Sequence, residues 1–224
     1  MKNLVDIVVV SDVVCPWCWI GKRNLEAALS EWAEQGGQSR VHWQPFQLNP
    51  QLPDEGMARE DYLLWKFGRT DTSSIYQRVT QAALQLGLQP DFAGIKRQPN
   101  TSRAHALIAA AQSDPRLQDQ LLESLFETYF KAHQDIGDPA ILQAIAMRCG
   151  LNEADFKIAM SDDSIEAAKA QSLDWSERGI GGVPFFIIDE RYGLSGAQAA
   201  SELLMAIKQA HAKNLDGGPH SLTA

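Results

Sequence analysis

Two cysteines near the N-terminus, Cys15 and Cys18, are separated by a proline and a tryptophan in the segment CPWC. Two thiols at this spacing can bind zinc, form a structural disulfide or act as a redox pair. A structural zinc site requires four ligands, and neither Cys149 nor the histidines show ligand spacing. A disulfide that closes so short a loop would stabilise the fold very little. The pattern therefore favours redox chemistry.

The residues around Cys15 predict which of the two thiols attacks. Pro16 suits the first position of a helix, which places Cys15 at the N-cap. There the sulfur meets unpaired N–H groups and the positive end of the helix dipole, and both favour thiolate over thiol. Cys18 lies one turn inside the helix and is less exposed. We therefore expect Cys15 to attack a disulfide and Cys18 to resolve the mixed disulfide.

The composition excludes several classes of function. The 224 residues are 45% hydrophobic and 21% charged, as in an ordinary globular protein. A net charge of −8 argues against binding to nucleic acid or to an anionic membrane surface. The first apolar run is short and interrupted by Asp6 and Asp12, so it matches neither a signal peptide nor a membrane span. We expect a cytoplasmic protein whose thiols are kept reduced.

Hydrophobic patterns place the two thiols at the start of a helix between two strands. Residues 6–12 are a β-branched run typical of a strand buried on both faces. Residues 16–35 show helical spacing, and residues 40–48 alternate as a strand in which Pro45 indicates a bulge or an edge. This order is a βαβ unit.

Strand patterns then disappear and return only near the C-terminus. Residues 53–179 contain only helical patterns separated by breakers, with Asp138 as an N-cap before Pro139. Strand character returns at residues 183–189, and a hairpin partner and a last helix follow. The order predicts one α/β domain with an all-helical insertion.

The predicted boundaries divide the chain into four parts. Residues 1–52 form a βαβ half, residues 53–179 the helical insertion and residues 180–213 a ββα half. Residues 214–224 have nothing to bury, so we expect a disordered tail.

The segment CPWC after a β-branched strand, with GIGGVPFFII far downstream and a helical middle, resembles the DsbA-like thioredoxin-fold oxidoreductases. It is most similar to their FrnE-type cytosolic branch, which shares a family with the 2-hydroxychromene-2-carboxylate isomerases. The resemblance extends to about residue 213 and implies a thioredoxin fold with the insertion between its halves. It also implies a cis peptide bond before Pro184, facing the cysteines, and a Val183 backbone that is free to pair with a substrate strand.

Further substrate contacts follow from the same resemblance and from position. Pro16 and Trp17 lie between the thiols, and the indole can form an apolar lip for a partner polypeptide. Residues 99–107 resemble a segment that the family places near the active-site cleft, which implies that Asn100 and His105 contact substrate. The same segment can be explained by a helix cap at Asn100 or Thr101 and a satisfied helical histidine, and this interpretation is favoured.

Two other residues carry alternative interpretations. Cys149 shares a helical face with Ile141 and Ile145, so we expect a small, buried, inert side chain. Asp12 either satisfies the backbone before the helix or tunes the thiols.

Three functions remain open. The leading one is a thiol–disulfide oxidoreductase that acts on polypeptides or small thiols, without metal or tightly bound cofactor but with glutathione as a candidate co-substrate. The second is a glutathione-dependent isomerase of the chromene-carboxylate type, although those relatives carry a serine where Cys15 stands. The third is a non-catalytic polypeptide-binding module with a chaperone role. The sequence does not predict the oligomeric state.

Overall fold

Six strands and nine helices occur within residues 4–215, the part of the chain that the computed structural model describes. The strands are β1 (Leu4–Ser11), β2 (Gln38–Pro45), β3 (Met57–Ala58), β4 (Arg97–Gln98), β5 (Phe185–Ile188) and β6 (Tyr192–Ser195). The helices are α1 (Pro16–Glu34), α2 (Arg59–Phe67), α3 (Thr72–Gln85), α4 (Ser102–Ala110), α5 (Pro115–Phe130), α6 (Pro139–Cys149), α7 (Glu153–Ala159), α8 (Asp162–Glu177) and α9 (Ala200–Leu215). The order confirms the predicted α/β fold, a thioredoxin fold with a large helical insertion.

A four-stranded mixed sheet in the order β2–β1–β5–β6 is the centre of the thioredoxin fold. Strand β1 pairs in parallel with β2, so that Ile7 lies opposite Val41, and antiparallel with β5, so that Ile7 also faces Ile188. Strand β6 pairs antiparallel with β5. Because β2 is an edge strand, the proline at its last position interrupts no further pairing, as predicted.

The two faces of β1 are buried to different extents. Val5, Ile7 and Val9 are fully buried, whereas Asp6 and Val8 on the opposite face are only half-buried. The prediction of a strand buried on both faces is therefore wrong for the first half of β1. The β-branched run indicated a strand correctly, but its composition does not reveal how far the second face is covered.

The insertion is not entirely helical. Strands β3 and β4 form a small antiparallel pair, in which Met57 lies opposite Gln98 and Ala58 opposite Arg97. Two-residue strands have no hydrophobic period, which explains why the sequence predicted only helices here. The predicted cap at the start of α6 is confirmed, because the carboxylate of Asp138 accepts a hydrogen bond from the N–H of Ala140 at 2.8 Å.

Helix α1 contacts the insertion along much of its length. The indole of Trp19 stacks on Phe126 and Phe130 of α5, with ring centroids 6.0 and 5.7 Å away. One turn later the buried ammonium of Lys22 lies 3.1 Å from Asp119 and 3.2 Å from Glu123, both on α5. A lysine is rarely this buried unless carboxylates compensate its charge, so these contacts fix α5 against α1.

The C-terminal helix extends slightly further than the sequence predicted. Helix α9 ends at Leu215, so residues 214 and 215 belong to it, and the remaining part of the predicted tail, residues 216–224, lies outside the described residues. Within residues 4–215, every helix lacks the combination of length and hydrophobicity that crossing a bilayer requires.

Candidate active site

The N-terminus of α1 presents Cys15 as the sequence predicted. Cys15 is the N-cap with extended backbone angles (φ −93°, ψ 111°), and Pro16 follows at the first helical position. The carbonyl of Asp12 accepts the N–H of Cys15 at 3.0 Å and fixes the turn between β1 and α1. The CPWC segment therefore lies at the end of the central strand, where the positive end of a helix dipole is concentrated.

The two thiols and the segment before β5 meet at one point. Cys15 is 4% exposed and Cys18 is fully buried behind it. The Sγ of Cys15 lies 3.5 Å from the carbonyl oxygen of Val183, to which it can donate. The peptide bond between Val183 and Pro184 is cis, and Pro184 is buried against α1. The structure thus brings together four of the predicted site residues from the two ends of the chain.

Gly21, in the second turn of α1, allows this close approach. A Cβ atom placed on Gly21 would lie 2.9 Å from Cγ of Pro184 and 3.2 Å from Cζ of Phe186. The first distance is shorter than carbon atoms tolerate, so a glycine is required unless the segment moves. Sequence reasoning missed this residue. The signal was available, because a glycine inside a helical pattern costs stability and usually has a packing reason.

The two cysteines differ in their electrostatic surroundings. Burial raises the pKa of Cys18 well above its usual range, and the hydrogen bond and charge of Cys15 raise it further. The backbone N–H of Asp12 and the hydroxyl of Ser11 act in the opposite direction on the pKa of Cys18, but with smaller effect. Cys18 therefore remains a thiol at neutral pH, and its proton can stabilise negative charge on Cys15.

A buried pair of polar residues supports the loop before Cys15. One carboxylate oxygen of Asp12 accepts the N–H of Leu48 at 2.8 Å, and the other lies 3.3 Å from Nε2 of His105. The same Nε2 lies 3.1 Å from the carbonyl of Phe46, so it carries a proton that both acceptors share. The side chain of Asp12 therefore satisfies backbone, but in the segment after β2 and not, as predicted, in the loop before the helix. A tuning role for Asp12 stays a prediction.

A cavity of about 560 Å³ opens beside Cys15. Its lining includes Pro16 and Trp17 on one side and Tyr62 and Tyr76, from α2 and α3 of the insertion, on the other. Trp17 is 38% exposed, and its role as an apolar lip for a partner polypeptide stays a prediction. This volume lies in the range of small-molecule sites. The sequence did not predict the contribution of α2 and α3, because only long-range packing brings these helices to the thiols.

The comparisons with known proteins agree with this geometry. The family model described as a DSBA-like thioredoxin domain matches residues 6–208 of the chain. The chain belongs to the DsbA-like thioredoxin family. A curated relative, the uncharacterized protein YwbO of Bacillus subtilis (strain 168), is 30% identical over 192 residues, which cover 83% of this chain and 88% of the relative.

Solved structures of the DsbA-like family superpose over nearly the whole chain. A probable DsbA oxidoreductase from Streptomyces coelicolor matches with a TM-score of 0.80 and 25% identity, covering 98% of this chain and 93% of that one. A 2-hydroxychromene-2-carboxylate isomerase shares the fold with a TM-score of 0.66 and 14% identity, covering 96% and 100% of the two chains. The cytosolic disulfide reductase DsbM of Pseudomonas aeruginosa, solved with GSH, shares it with a TM-score of 0.57 and 19% identity, covering 95% and 98%.

In this DsbA-like protein, two of the predicted substrate-binding residues are engaged with the protein itself. Asn100 is buried, its side-chain oxygen accepts from Gln47 and from the N–H of Ser102, and its amide donates to Leu52. The N-cap of α4 is Thr101, and of these contacts only the bond from Ser102 lies in the first turn of the helix. The other two fix the side chain of Asn100 to the segment after β2. His105 is also buried, and its ring contacts Asp12 and the carbonyl of Phe46, as described above. Their contact with substrate therefore stays a prediction from resemblance alone.

The third cysteine lies outside the dithiol site, against α5, and is less protected than predicted. Cys149 is half-buried at the end of α6, with its Sγ 3.3 Å from the hydroxyl of Ser124 and 3.7 Å from the carbonyl of Gln120. The prediction of full burial is wrong because Cys149 is the last helical residue, where the covering face ends. Across residues 4–215, no three His, Cys, Asp or Glu side chains form a cluster that could hold a metal ion.

Proposed function

We propose that the protein is a thiol–disulfide oxidoreductase in which Cys15 attacks and Cys18 resolves. The observation that carries the proposal is the asymmetry of the two thiols. Cys15 lines an open cavity at a helix N-terminus, whereas Cys18 is fully buried and its pKa is raised by that burial. A nucleophile needs access and thiolate character, and a resolving thiol needs only to reach its partner.

The reaction proceeds by two exchanges. The thiolate of Cys15 attacks one sulfur of a substrate disulfide, the substrate S–S bond breaks, and a mixed disulfide and a substrate thiolate result. Cys18 then loses its proton and attacks Sγ of Cys15, which releases the second substrate thiolate. Both released thiolates take up protons. Two electrons have passed from the dithiol to the substrate, and the protein retains a Cys15–Cys18 disulfide.

The surroundings of Cys18 support the second exchange. The buried hydroxyl of Ser11 and the backbone N–H of Asp12 lie beside the Cys18 sulfur and favour its anionic form. Donors that are present before the reaction stabilise charge that develops in a transition state. They lower the cost of forming the resolving thiolate in a buried position.

The proposal extends to the substrate and its setting. A polypeptide or small thiol compound enters the cavity, rests against Trp17 and pairs with the backbone of Val183. The CPWC segment and its resemblance to the FrnE-type cytosolic branch support assignment of the protein to that branch and to the cytoplasm. There a dithiol of ordinary potential is kept reduced, which favours reduction of substrates.

Insulin reduction tests the proposal. The wild-type protein should accelerate insulin reduction by dithiothreitol, and Cys15→Ser should not. The Cys149→Ser variant is the matched control, because it removes a thiol outside the dithiol site and should retain wild-type activity. Equal activity of Cys15→Ser and wild type would refute the proposal.

The second candidate is a glutathione-dependent isomerase. The fold shared with the chromene-carboxylate isomerase and the cavity beside the helix N-terminus favour it. Cys15 counts against it, because those relatives characteristically carry a serine there. Isomerase activity that requires glutathione and survives in Cys15→Ser, together with no insulin reduction by the wild type, would decide for this candidate.

A further inference from the structure

Arg59, at the start of α2, is a buried cation without a carboxylate partner. It is 7% exposed, and within residues 4–215 it forms no salt bridge. Its guanidinium donates to neutral oxygens, namely Oη of Tyr76 at 2.6 Å, Oη of Tyr129 at 3.4 Å and the side chain of Gln98. Its Nε is buried with no partner in the described structure. A buried positive charge of this kind is costly unless something negative lies nearby.

The charge of Arg59 reaches the cavity through Tyr76. The guanidinium also lies over the rings of Tyr62 and Tyr76, 5.2 and 5.5 Å from their centroids, and both rings line the cavity beside Cys15. Stacking on Phe92 at 4.1 Å fixes the ring of Tyr76. Burial raises the pKa of Tyr76 against the lowering effect of Arg59, so its hydroxyl keeps the proton at neutral pH.

The hydroxyl of Tyr76 is therefore a donor that awaits an acceptor. Arg59 occupies its oxygen as a hydrogen-bond donor, so the hydroxyl proton must go elsewhere. In the described part of the chain nothing accepts it. A donor whose oxygen already accepts from a cation is polarised and binds anionic acceptors most strongly.

The rest of the cavity has the same sign of charge. Lys66 and Arg78 lie in its lining, and no acidic residue does. Lys66 donates to the neutral side chain of Asn49 at 3.0 Å, so its charge is not neutralised there. A cavity whose Lys and Arg side chains have no acidic neighbour in the lining is unexpected in a chain with a net charge of −8, and it attracts an anion.

We propose that Tyr76, polarised by Arg59, binds a carboxylate of a small disulfide whose sulfur is attacked by Cys15. This inference rests on the proposed oxidoreductase function and names its substrate class. The cavity holds one small molecule, with the disulfide at the Cys15 end and the carboxylate at the α2–α3 end, where Arg78 and Lys66 add charge. The cationic wall selects anionic over neutral and cationic disulfides.

Three small disulfides of similar length test this selectivity. Dithiodipropionate carries two negative charges, bis(hydroxyethyl) disulfide none and cystamine two positive charges. The reduced protein is mixed with each in excess, and the fluorescence change of Trp17 and Trp19 gives the second-order rate constant of its oxidation. Each constant is divided by that of dithiothreitol with the same disulfide, which removes differences in intrinsic reactivity.

The wild-type protein should prefer dithiodipropionate to the neutral disulfide by about tenfold and should react most slowly with cystamine. Tyr76→Phe should lose about tenfold with the dianion, the effect of one hydrogen bond to a charged group, and less than about twofold with the neutral disulfide. Tyr192→Phe, which removes a hydroxyl on β6, should match wild type. Arg78→Gln should reduce the preference for dithiodipropionate over the neutral disulfide severalfold. Arg148→Gln changes the net charge equally at an exposed position of α6 and should not reduce this preference.

Two results would overturn the inference. One is that the wild-type rate constant, relative to that of dithiothreitol, is no higher with dithiodipropionate than with the neutral disulfide. The other is an equal loss with all three disulfides in Tyr76→Phe, which indicates a structural role. If Tyr76→Phe does not fold, Arg78→Gln provides the test, through the ratio of its rate constants with dithiodipropionate and with the neutral disulfide. Failure of the oxidoreductase function is distinguishable, because the wild-type dithiol would then be oxidised by none of the three disulfides.

Discussion

The two sides of the active-site cavity are built in different ways. One side, the thiol wall, is the start of α1, where Cys15 lines the cavity and Cys18 and Pro184 are buried next to it, and it belongs to the thioredoxin fold. The other side, the insertion wall, consists of Tyr62 and Tyr76 from helices α2 and α3. Backbone geometry at a helix start fixes the thiol wall, whereas side chains delivered by long-range packing form the insertion wall. The comparison indicates that chemistry resides on one wall and selectivity on the other.

The largest expected effect separates the two thiols of the thiol wall. Cys15→Ser should abolish disulfide reduction, because the nucleophile is lost. Cys18→Ser should instead accumulate a mixed disulfide on Cys15, because no thiol remains to resolve it. Mass spectrometry of each variant after incubation with an excess of disulfide measures the adduct. Equal trapping by both variants would contradict the assignment of roles.

The next effect tests how closely the thiol wall is packed. Gly21→Ala forces a Cβ atom to within 2.9 Å of Pro184, and overpacking of this kind costs about 1–3 kcal/mol. The gain in helix propensity offsets about 1 kcal/mol of that cost. We expect a net loss of stability in urea unfolding and slower disulfide reduction, because the segment at Val183 must move away from Cys15.

Gly181→Ala is the matched control for that variant. It lies in the same segment as Val183, but no atom is within 4 Å of a Cβ placed there. Its stability should remain within about 0.5 kcal/mol of wild type. If Gly21→Ala were as stable and as active as Gly181→Ala, the close approach of α1 and the segment before β5 would not matter.

The sequence predicted the two walls unequally. The thiol wall could be read from local signals, namely a β-branched strand, a proline at a helix start and two cysteines one turn apart. Its second half, Val183 and Pro184, came from resemblance, because nothing local to that segment points to Cys15. The insertion wall was not predicted at all. Helical spacing located α2 and α3 in the chain. It contains no information on which of their side chains would face Cys15, which precedes Tyr62 by 47 positions and Tyr76 by 61.

The burial of Cys18 should make the free energy of unfolding depend on pH. Because burial raises the pKa of Cys18 in the folded protein above its ordinary value of 9.0, the folded state holds this proton more tightly than the unfolded state. The stability contribution is complete below about pH 9 and is lost, at up to about 1.4 kcal/mol per pH unit, as the pH rises towards the folded-state pKa.

Urea unfolding of the reduced protein at pH 8 and at about pH 10 measures this dependence. Tyr62, whose pKa is raised to about 12 by burial, contributes in the same direction, so wild type must be compared with Cys18→Ala. The variant should lose less stability over that interval. An identical loss in both proteins would show that Cys18 does not hold its proton more tightly on folding.

The smallest expected effect lies outside both walls. Cys149→Ala removes a half-buried side chain with weak contacts to Ser124 and Gln120, so stability should change by less than about 1 kcal/mol and disulfide reduction should not change. Brief iodoacetamide treatment should modify Cys149 more slowly than Cys15, and Cys18 least of all. Inactivation by Cys149→Ala would mean that a third thiol takes part in the exchange.

Helix α1 has a consequence for how such proteins can be redesigned. It begins with the reactive thiols and continues as the surface on which α5 packs through Trp19 and Lys22. Residues 53–179 are inserted between the two halves of the thioredoxin fold, but they cannot be transferred to another protein as an independent unit. A graft into another scaffold would leave Asp119 and Glu123 without the ammonium of Lys22 unless α1 were transferred as well. New selectivity is more readily introduced by changing single side chains of α2 and α3 in place.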